Sequence, residues 1–256
     1  MSSKKPPKKY NAAKLGNSKR NDALLTYVLG GVAIVAIIVL IVIFVVLPNT
    51  KDTEVQAEGY GSVQEGTPVE VVDSGGVLLG DPDAPVKIDA YEDFLCPACA
   101  MFEHQFGGAV NQAIDDGSMA VQYHMLDFLN KYSATGDYST RAAGAALCVA
   151  ETGDGALFSK FHSALFQDSV QPEENGSEDL NNAQLSDVAK QVGADDTVVS
   201  CIADGAKVDA AKSGAQQSMQ GLSDKTGGQV STPTVMHGDQ KVNIQSADWI
   251  KQLTGQ

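Results

Sequence analysis

"YEDFLCPACAMFEH", residues 91–104, holds two of the chain's four cysteines, in the spacing Cys96-Pro97-Ala98-Cys99. The run before it, "VKIDAYEDF" (86–94), has strand composition. The run after it, "CAMFEHQFGGAVNQAIDDG" (99–117), sets Met101, Phe102, Phe106, Val110 and Ile114 at helical spacings and stops on Gly117. The pair therefore stands where a strand turns into a helix. With a helix starting near Cys96, that sulfur lies over unpaired backbone N–H groups at the positive helix end. Such a setting favours thiolate over thiol and lowers the pKa from about 8.5 toward roughly 3.5–7.5. Pro97 suits the first helical turn, where a missing N–H costs nothing. Cys99 is one turn later, shielded by helix and chain. Position alone predicts Cys96 as nucleophile and Cys99 as the resolving thiol.

Other uses of the pair fit less well. A zinc site needs four ligands, yet Cys148 and Cys201 stand apart without a second C-x-x-C. The four histidines, His104, His124, His162 and His237, form no ligand pair. No metal or other cofactor is expected. A purely structural bridge between Cys96 and Cys99 would close a very short loop and gain little chain entropy. Four cysteines allow three pairings, and the sequence does not choose among them. The expectation is Cys96–Cys99, with Cys148–Cys201 as a structural disulfide; a second redox relay is the alternative for the latter pair. A bridge closing a loop of roughly 54 residues would stabilise the fold by about 4 kcal/mol on the entropy model.

The compartment bears on this chemistry. Residues 1–22 carry seven basic residues against one acid, Asp22. Residues 23–47, "ALLTYVLGGVAIVAIIVLIVIFVVL", carry no charge. As a helix this stretch would span roughly 37 Å, more than the roughly 30 Å hydrocarbon core. It is longer than the apolar region of a signal peptide, and the small-x-small "VQA" (55–57) lies well past it. The expectation is an uncleaved transmembrane anchor with a basic cytoplasmic N-terminus and the remainder outside the cytoplasm, where thiols tend to be oxidised. From residue 51 onward 31 acids face 11 bases, a balance that repels nucleic acid.

Residues 48–68 are polar, with Gly and Pro and no apolar period, and read as a flexible linker. The domain then runs over 69–256, a length that buries about 70% of its unfolded surface. "VEVVDSGGVLLG" (69–80) reads as a strand pair, and "MAVQYHMLDFL" (119–129) as a strand. Residues 138–222 form a helical block in which Leu157, Phe158, Phe161 and Leu165 share a face. Within it "QDSVQPEENGSEDL" (167–180) reads as an exposed acidic loop whose Asn175-Gly176-Ser177 fits a glycosylation pattern. "STPTVMHGDQKVNI" (231–244) reads as two strands joined at Gly238-Asp239. "SADWIKQLTGQ" (246–256) reads as a helix N-capped by Ser246, with Trp249 as a packing anchor.

Taken in order, "DFLCPACAMFEH", "VQYHMLDFL" and "STPTV", with helices between the last two, resemble the bacterial disulfide oxidoreductases of the DsbA type. The resemblance covers about residues 70–256. It implies an α/β, thioredoxin-like fold with an inserted helical subdomain, here preceded by one transmembrane helix. The anchor and the second cysteine pair are similar to actinobacterial forms. By resemblance Cys96 attacks, Cys99 is its partner, and Thr232-Pro233 is the cis-proline loop facing the dithiol. The family uses that loop's backbone to hold substrate peptide as an added strand. Pro233 also stands at a strand start, where proline is tolerated. Phe102-Glu103 matches a pair that follows the motif in many members. Glu103 is a candidate for moving protons near the dithiol, the alternative being an exposed helix carboxylate. His124 matches a strand histidine read as structural.

Two departures stand out. Pro-Ala replaces the family's Pro-His inside the motif, which removes one stabiliser of the Cys96 thiolate. The buried acid expected six residues before Cys96 is Ala90, and Asp89, Glu92 and Asp93 are unranked substitutes. The resemblance implies an enzyme that introduces disulfides into secreted or cell-envelope proteins. Its partners would be unfolded secreted polypeptides, a quinone-linked membrane reoxidase such as a vitamin K epoxide reductase, and the lipid bilayer through residues 23–47. A reductase or isomerase, or a tethered peptide-binding domain with an idle disulfide, are the alternatives.

Overall fold

Alternating apolar residues pair Val69–Val71 (β1) with Val77–Leu79 (β2) in an antiparallel hairpin at one edge of a six-stranded sheet. The computed structural model describes residues 54, 55, 59 and 61–255. The sheet runs β1-β2-β4-β3-β5-β6, with Val86–Glu92 (β3) and Met119–Met125 (β4) parallel at its centre. All but one residue of β4 are buried, as a central strand covered on both faces must be. The helix Pro97–Asp115 (α1) makes the β3-to-β4 crossover that a parallel pair requires. On the other side Thr234–His237 (β5) pairs antiparallel with β3, aligning Thr234 with Tyr91 and Val235 with Ala90. Gln240–Lys241 (β6) ends the sheet.

Between β4 and β5 come a short 3-10 turn, Phe128–Tyr132, and five helices: Tyr138–Ala150 (α2), Gly155–Leu165 (α3), Asn182–Gln191 (α4), Asp196–Ala203 (α5) and Val208–Thr226 (α6). The Ala-rich α2 is buried along almost its whole length, because small side chains let several helices approach it. A Cβ on Gly144 would lie 3.1 Å from the Val208 backbone nitrogen, tighter than an ordinary contact, so a larger residue here would have to push the start of α6 away by a few tenths of an ångström. Cys148 of α2 and Cys201 of α5 are bonded, S–S 2.00 Å, at a sequence separation of 53.

The fold departs from the sequence reading in three places. The expected linker 48–68 is not spacer throughout: Val63 is buried and donates its N–H to Ser159 Oγ at 3.3 Å, and Gln64 N–H reaches Asp115 Oδ1 at 2.8 Å. The last helix is Trp249–Thr254 (α7); its N-cap is Asp248 without a side-chain cap, while Ser246 accepts the Trp249 N–H through its carbonyl and the Gln252 amide through its hydroxyl (3.3 Å) rather than capping the helix. The acidic loop 167–180 is anchored at both ends, since Val170 and Leu180 are buried and Asp179 pairs with Arg141 at 2.8 Å. Glu103, read either as a proton carrier or as an exposed helix carboxylate, is buried. The expected basic terminus (1–22) and anchor (23–47) lie outside the described residues. No helix among the described residues is long and apolar enough to cross a membrane.

Candidate active site

The site is made where β3 hands over to α1. Asp93, fully buried, fixes the turn: its Oδ1 accepts the Leu95 N–H (3.0 Å), its Oδ2 the Leu129 N–H (3.1 Å), and its backbone carbonyl the Cys96 N–H (2.9 Å). Cys96 is the residue capping α1 and Pro97 opens the helix. Gln171, from the anchored loop, donates to the carbonyls of Phe94 (3.0 Å) and Cys96 (3.1 Å), holding the turn from outside. The Thr232-Pro233 bond is cis, and the Thr232 carbonyl lies 3.7 Å from Cys96 Sγ. Cys96, Cys99, Pro97, Thr232 and Pro233 thus share one place in the fold.

Both cysteines of the motif are thiols here, buried, with Cys99 wholly inaccessible. Their environments differ. Cys96 is held down to about 6: the Cys99 thiol hydrogen bond contributes most, opposed by burial and assisted by Thr232 and the N–H groups of Cys99 and Ala98. The helix-end amides invoked from the sequence therefore act second to the partner sulfur. Cys99 is pushed well above the usual thiol value, first by burial, then by its hydrogen bond to Cys96 and by the charge of Glu92.

Behind the dithiol lies a group of ionisable side chains that the sequence reading left scattered. Glu92 ends β3, Glu103 stands one turn beyond Cys99 on α1, and His162 comes from α3; all three are buried. His162 Nε2 is 3.0 Å from Glu92 Oε2, and its Nδ1 is 3.9 Å from Glu103 Oε2. Their ligand atoms lie within 4.8 Å of one another, a spacing that suits one cation. No amide or hydroxyl donor reaches Glu92 Oε1. Burial lifts both carboxyls far above the carboxylate range, and burial also lowers His162.

Of the three substitutes for the missing acid, Glu92 is the one whose charge helps raise Cys99. Asp93 is spent on the turn. Asp89 is turned to His124 (2.7 Å) and Lys225 (3.2 Å). His124 is buried, stacked on Tyr91 at 4.3 Å and hydrogen-bonded to Ser218 of α6, and it ties that helix to the sheet. Trp249 packs against Phe102 and Phe106 at 6.2 and 5.9 Å.

The sequence reading missed His162 and Gln171. His162 falls four residues after Phe158 and three before Leu165, on the face already read as apolar, so helical spacing carried the signal. Nothing local marks Gln171.

A family model described as Thioredoxin matches residues 73–254. Among solved structures, MdbA, a thiol-disulfide oxidoreductase from Corynebacterium diphtheriae, superposes with a TM-score of 0.65 at 28% identity, over 76% of this chain and 96% of that one. DsbA from Mycobacterium tuberculosis gives 0.57 at 30% identity, over 74% and 93%. The disulfide bond oxidoreductase DsbG of the same organism gives 0.57 at 32% identity, over 69% and 83%. Among curated proteins, the serine/threonine-protein kinase PknE of Mycobacterium tuberculosis is 37% identical over 180 residues, which are 70% of this chain and 31% of the kinase. The chain thus spans about a third of the length of that curated relative.

Proposed function

The chain belongs to the thioredoxin family, with the fold of its DsbA-type thiol–disulfide oxidoreductases, and from that premise we propose that it is a membrane-tethered oxidase of secreted proteins. The observation carrying this reading is the contrast between the two sulfurs, Cys96 held down to about 6 and Cys99 pushed well up. A stabilised Cys96 thiolate favours the dithiol over the disulfide, so the disulfide form is a good oxidant.

In the proposed cycle a substrate thiolate attacks Cys96 Sγ of the disulfide form, and Cys99 leaves and takes a proton. A second substrate thiolate attacks the substrate sulfur of the mixed disulfide, expelling Cys96 as thiolate. Two electrons and the substrate's thiol hydrogens are lost from the substrate; the dithiol carries the electrons to a quinone-linked membrane reoxidase of the vitamin K epoxide reductase kind. The Thr232-Pro233 loop holds the extended substrate beside Cys96. The anchor of residues 23–47 keeps the domain at the outer face of the membrane. Catalytic roles are assigned to Cys96 and Cys99, with Pro97, Thr232, Pro233 and Glu103 shaping their environment.

A second reading, a peptide-binding or sensing domain with an idle dithiol, draws on PknE, in which the matching segment is a minor part of a longer chain. The deciding experiment is the reduction potential together with oxidation of a reduced, unfolded protein. The oxidase reading expects a potential nearer about −120 mV than about −270 mV, and disulfide formation in the substrate. A thioredoxin-like potential would turn it into a reductase or isomerase, and no exchange at all into the binding domain.

A further inference from the structure

Glu92, Glu103 and His162 are brought together by folding alone. They come from β3, α1 and α3, and Glu92 and His162 are 70 residues apart. Two carboxylates held this close repel each other, and burial removes the water that would screen them. Among the described residues no Lys or Arg is paired with either; the basic group beside both is His162. Burial disfavours charge on that imidazole, so it faces the carboxyls as a neutral ring. The group therefore takes its positive charge from outside the side chains, either as protons on the carboxyls or as one divalent cation between them.

Three observations favour the cation. Glu92 is only 3% exposed, yet its Oε1 has no hydrogen-bond partner among the described residues, and a buried oxygen left in that state marks a place for an ion. His162 Nε2 lies 3.0 Å from Glu92 Oε2, near the roughly 3.3 Å between two ligands set about 2.0–2.1 Å from a tetrahedral ion. The ligand atom of Glu103 is within 4.8 Å of the other two, so the set contracts onto an ion as that side chain turns in. Finally, a cavity of about 10 Å³, room for one water, is lined by Glu103 and His162 together with Asn111 and Ser159, and supplies a fourth ligand from solvent.

The surroundings fix the imidazole. Phe94, Tyr123, Phe158 and Phe166 box it, with ring centroids 4.4 to 5.8 Å away, and keep bulk water out. The donor set also selects the ion. Ca2+ and Mg2+ take oxygen ligands, whereas one imidazole with two carboxylates suits Zn2+ or a neighbouring transition ion. Sequence spacing hides such a site, because it uses a single histidine and no cysteine.

We propose that Glu92, Glu103 and His162 form a buried site for one divalent transition-metal ion of the zinc type, completed by one water. The ion displaces the protons that burial keeps on the carboxyls and sends them to the buffer. No sulfur is among the ligands, so the site fills with both cysteine pairs bonded.

The test uses ZnCl2 and CoCl2 on the oxidised full chain, in which every cysteine is in a disulfide and no thiolate can bind metal. Isothermal titration calorimetry should give one Zn2+ per chain, with a heat that varies with the ionisation enthalpy of the buffer as protons are released. Zn2+ should raise the unfolding midpoint. Co2+ should show the intense visible bands of a four- or five-coordinate site in place of the weak ones of the aqua ion. His162→Phe keeps a ring in the aromatic box and removes the nitrogen; it should weaken Zn2+ binding by about 100-fold or more and abolish the Co2+ bands. Glu92→Gln, nearly the same shape, should weaken binding by at least about tenfold. A wild-type chain that binds no Zn2+ overturns the proposal. So does affinity retained in both H162F and E92Q, which marks an adventitious ion on the acidic surface. Should H162F not fold, E92Q decides in its place. Because the thiols take no part, a failure here and a failure of the oxidase reading are separate results.

Discussion

Cys96 and Cys99 lie three residues apart at a strand–helix junction, whereas Cys148 and Cys201 lie 53 apart on two helices of the insertion and are bonded. Around the first pair stand a cis-proline loop, a helix end and three buried ionisable groups. The second pair lies in α2 and α5, where the flanking residues Leu147, Val149, Ser200 and Ile202 carry no ionisable side chain. The lesson is that reactivity is set by what polarises the sulfur. One environment separates the two thiols of a pair into an acidic and a very weak one. The other leaves a cross-link whose effect is to restrict the unfolded chain.

The comparison breaks most visibly by removing sulfurs. Cys96→Ser should abolish disulfide transfer to a reduced unfolded protein, while Cys99→Ser should accumulate mixed disulfides on non-reducing gels. Equal behaviour of the two would erase the asymmetry. By contrast the double variant Cys148→Ser with Cys201→Ser should keep the transfer rate within about a factor of two, yet lose about 4 kcal/mol of stability in urea unfolding, given the loop it opens. A fall in transfer rate matching that of Cys96→Ser would make the second pair a redox participant.

Proton linkage sharpens the same contrast. Cys96 ionises more readily folded than unfolded, so its stabilising contribution to the reduced protein is complete above the ordinary thiol range and is lost as pH falls through about 6. The buried carboxyls act in the opposite sense. Glu92, Glu103 and Asp93 hold protons in the fold that the unfolded chain releases, so their contribution is present at acid pH and lost as pH rises through their raised values. The stability gap between the reduced protein and Cys96→Ala should therefore widen as pH rises from about 6 toward 9; unfolding curves at several pH values check this. The smallest effect expected is that of Gln171→Ala, about 1 kcal/mol for two exchanged hydrogen bonds, with a faster alkylation of Cys96 as the turn loosens.

Much of this was legible in the chain itself. The 3.6 period of Phe102, Phe106, Val110 and Ile114 after a strand marked the junction, although Met101, read with them, is exposed, and Pro97 marked its first turn. Composition marked the helical block and the hairpin at Gly238. What escaped depends on contacts far apart in sequence. Glu92 and His162 are 70 residues apart, and only the packing of α3 on the sheet brings them together. Gln171 sits in a segment whose composition reads as solvent-exposed, yet its amide spans to carbonyls 75 and 77 residues back. Glu103 falls on the same face of α1 as Cys99, which spacing shows, but its burial is decided by β3 and α3. Ser246 failed as a cap because the chain makes another turn before Trp249.

The central claim is that the fold divides acidity unequally between two neighbouring sulfurs. It is tested most directly by following alkylation of each cysteine of the reduced chain by iodoacetamide from pH 4 to 10, read by mass spectrometry. The account predicts reaction at Cys96 with a midpoint near about 6 and none at Cys99 across the neutral range. A Cys96 midpoint near the ordinary thiol value of about 8.5, or prior reaction at Cys99, would contradict it.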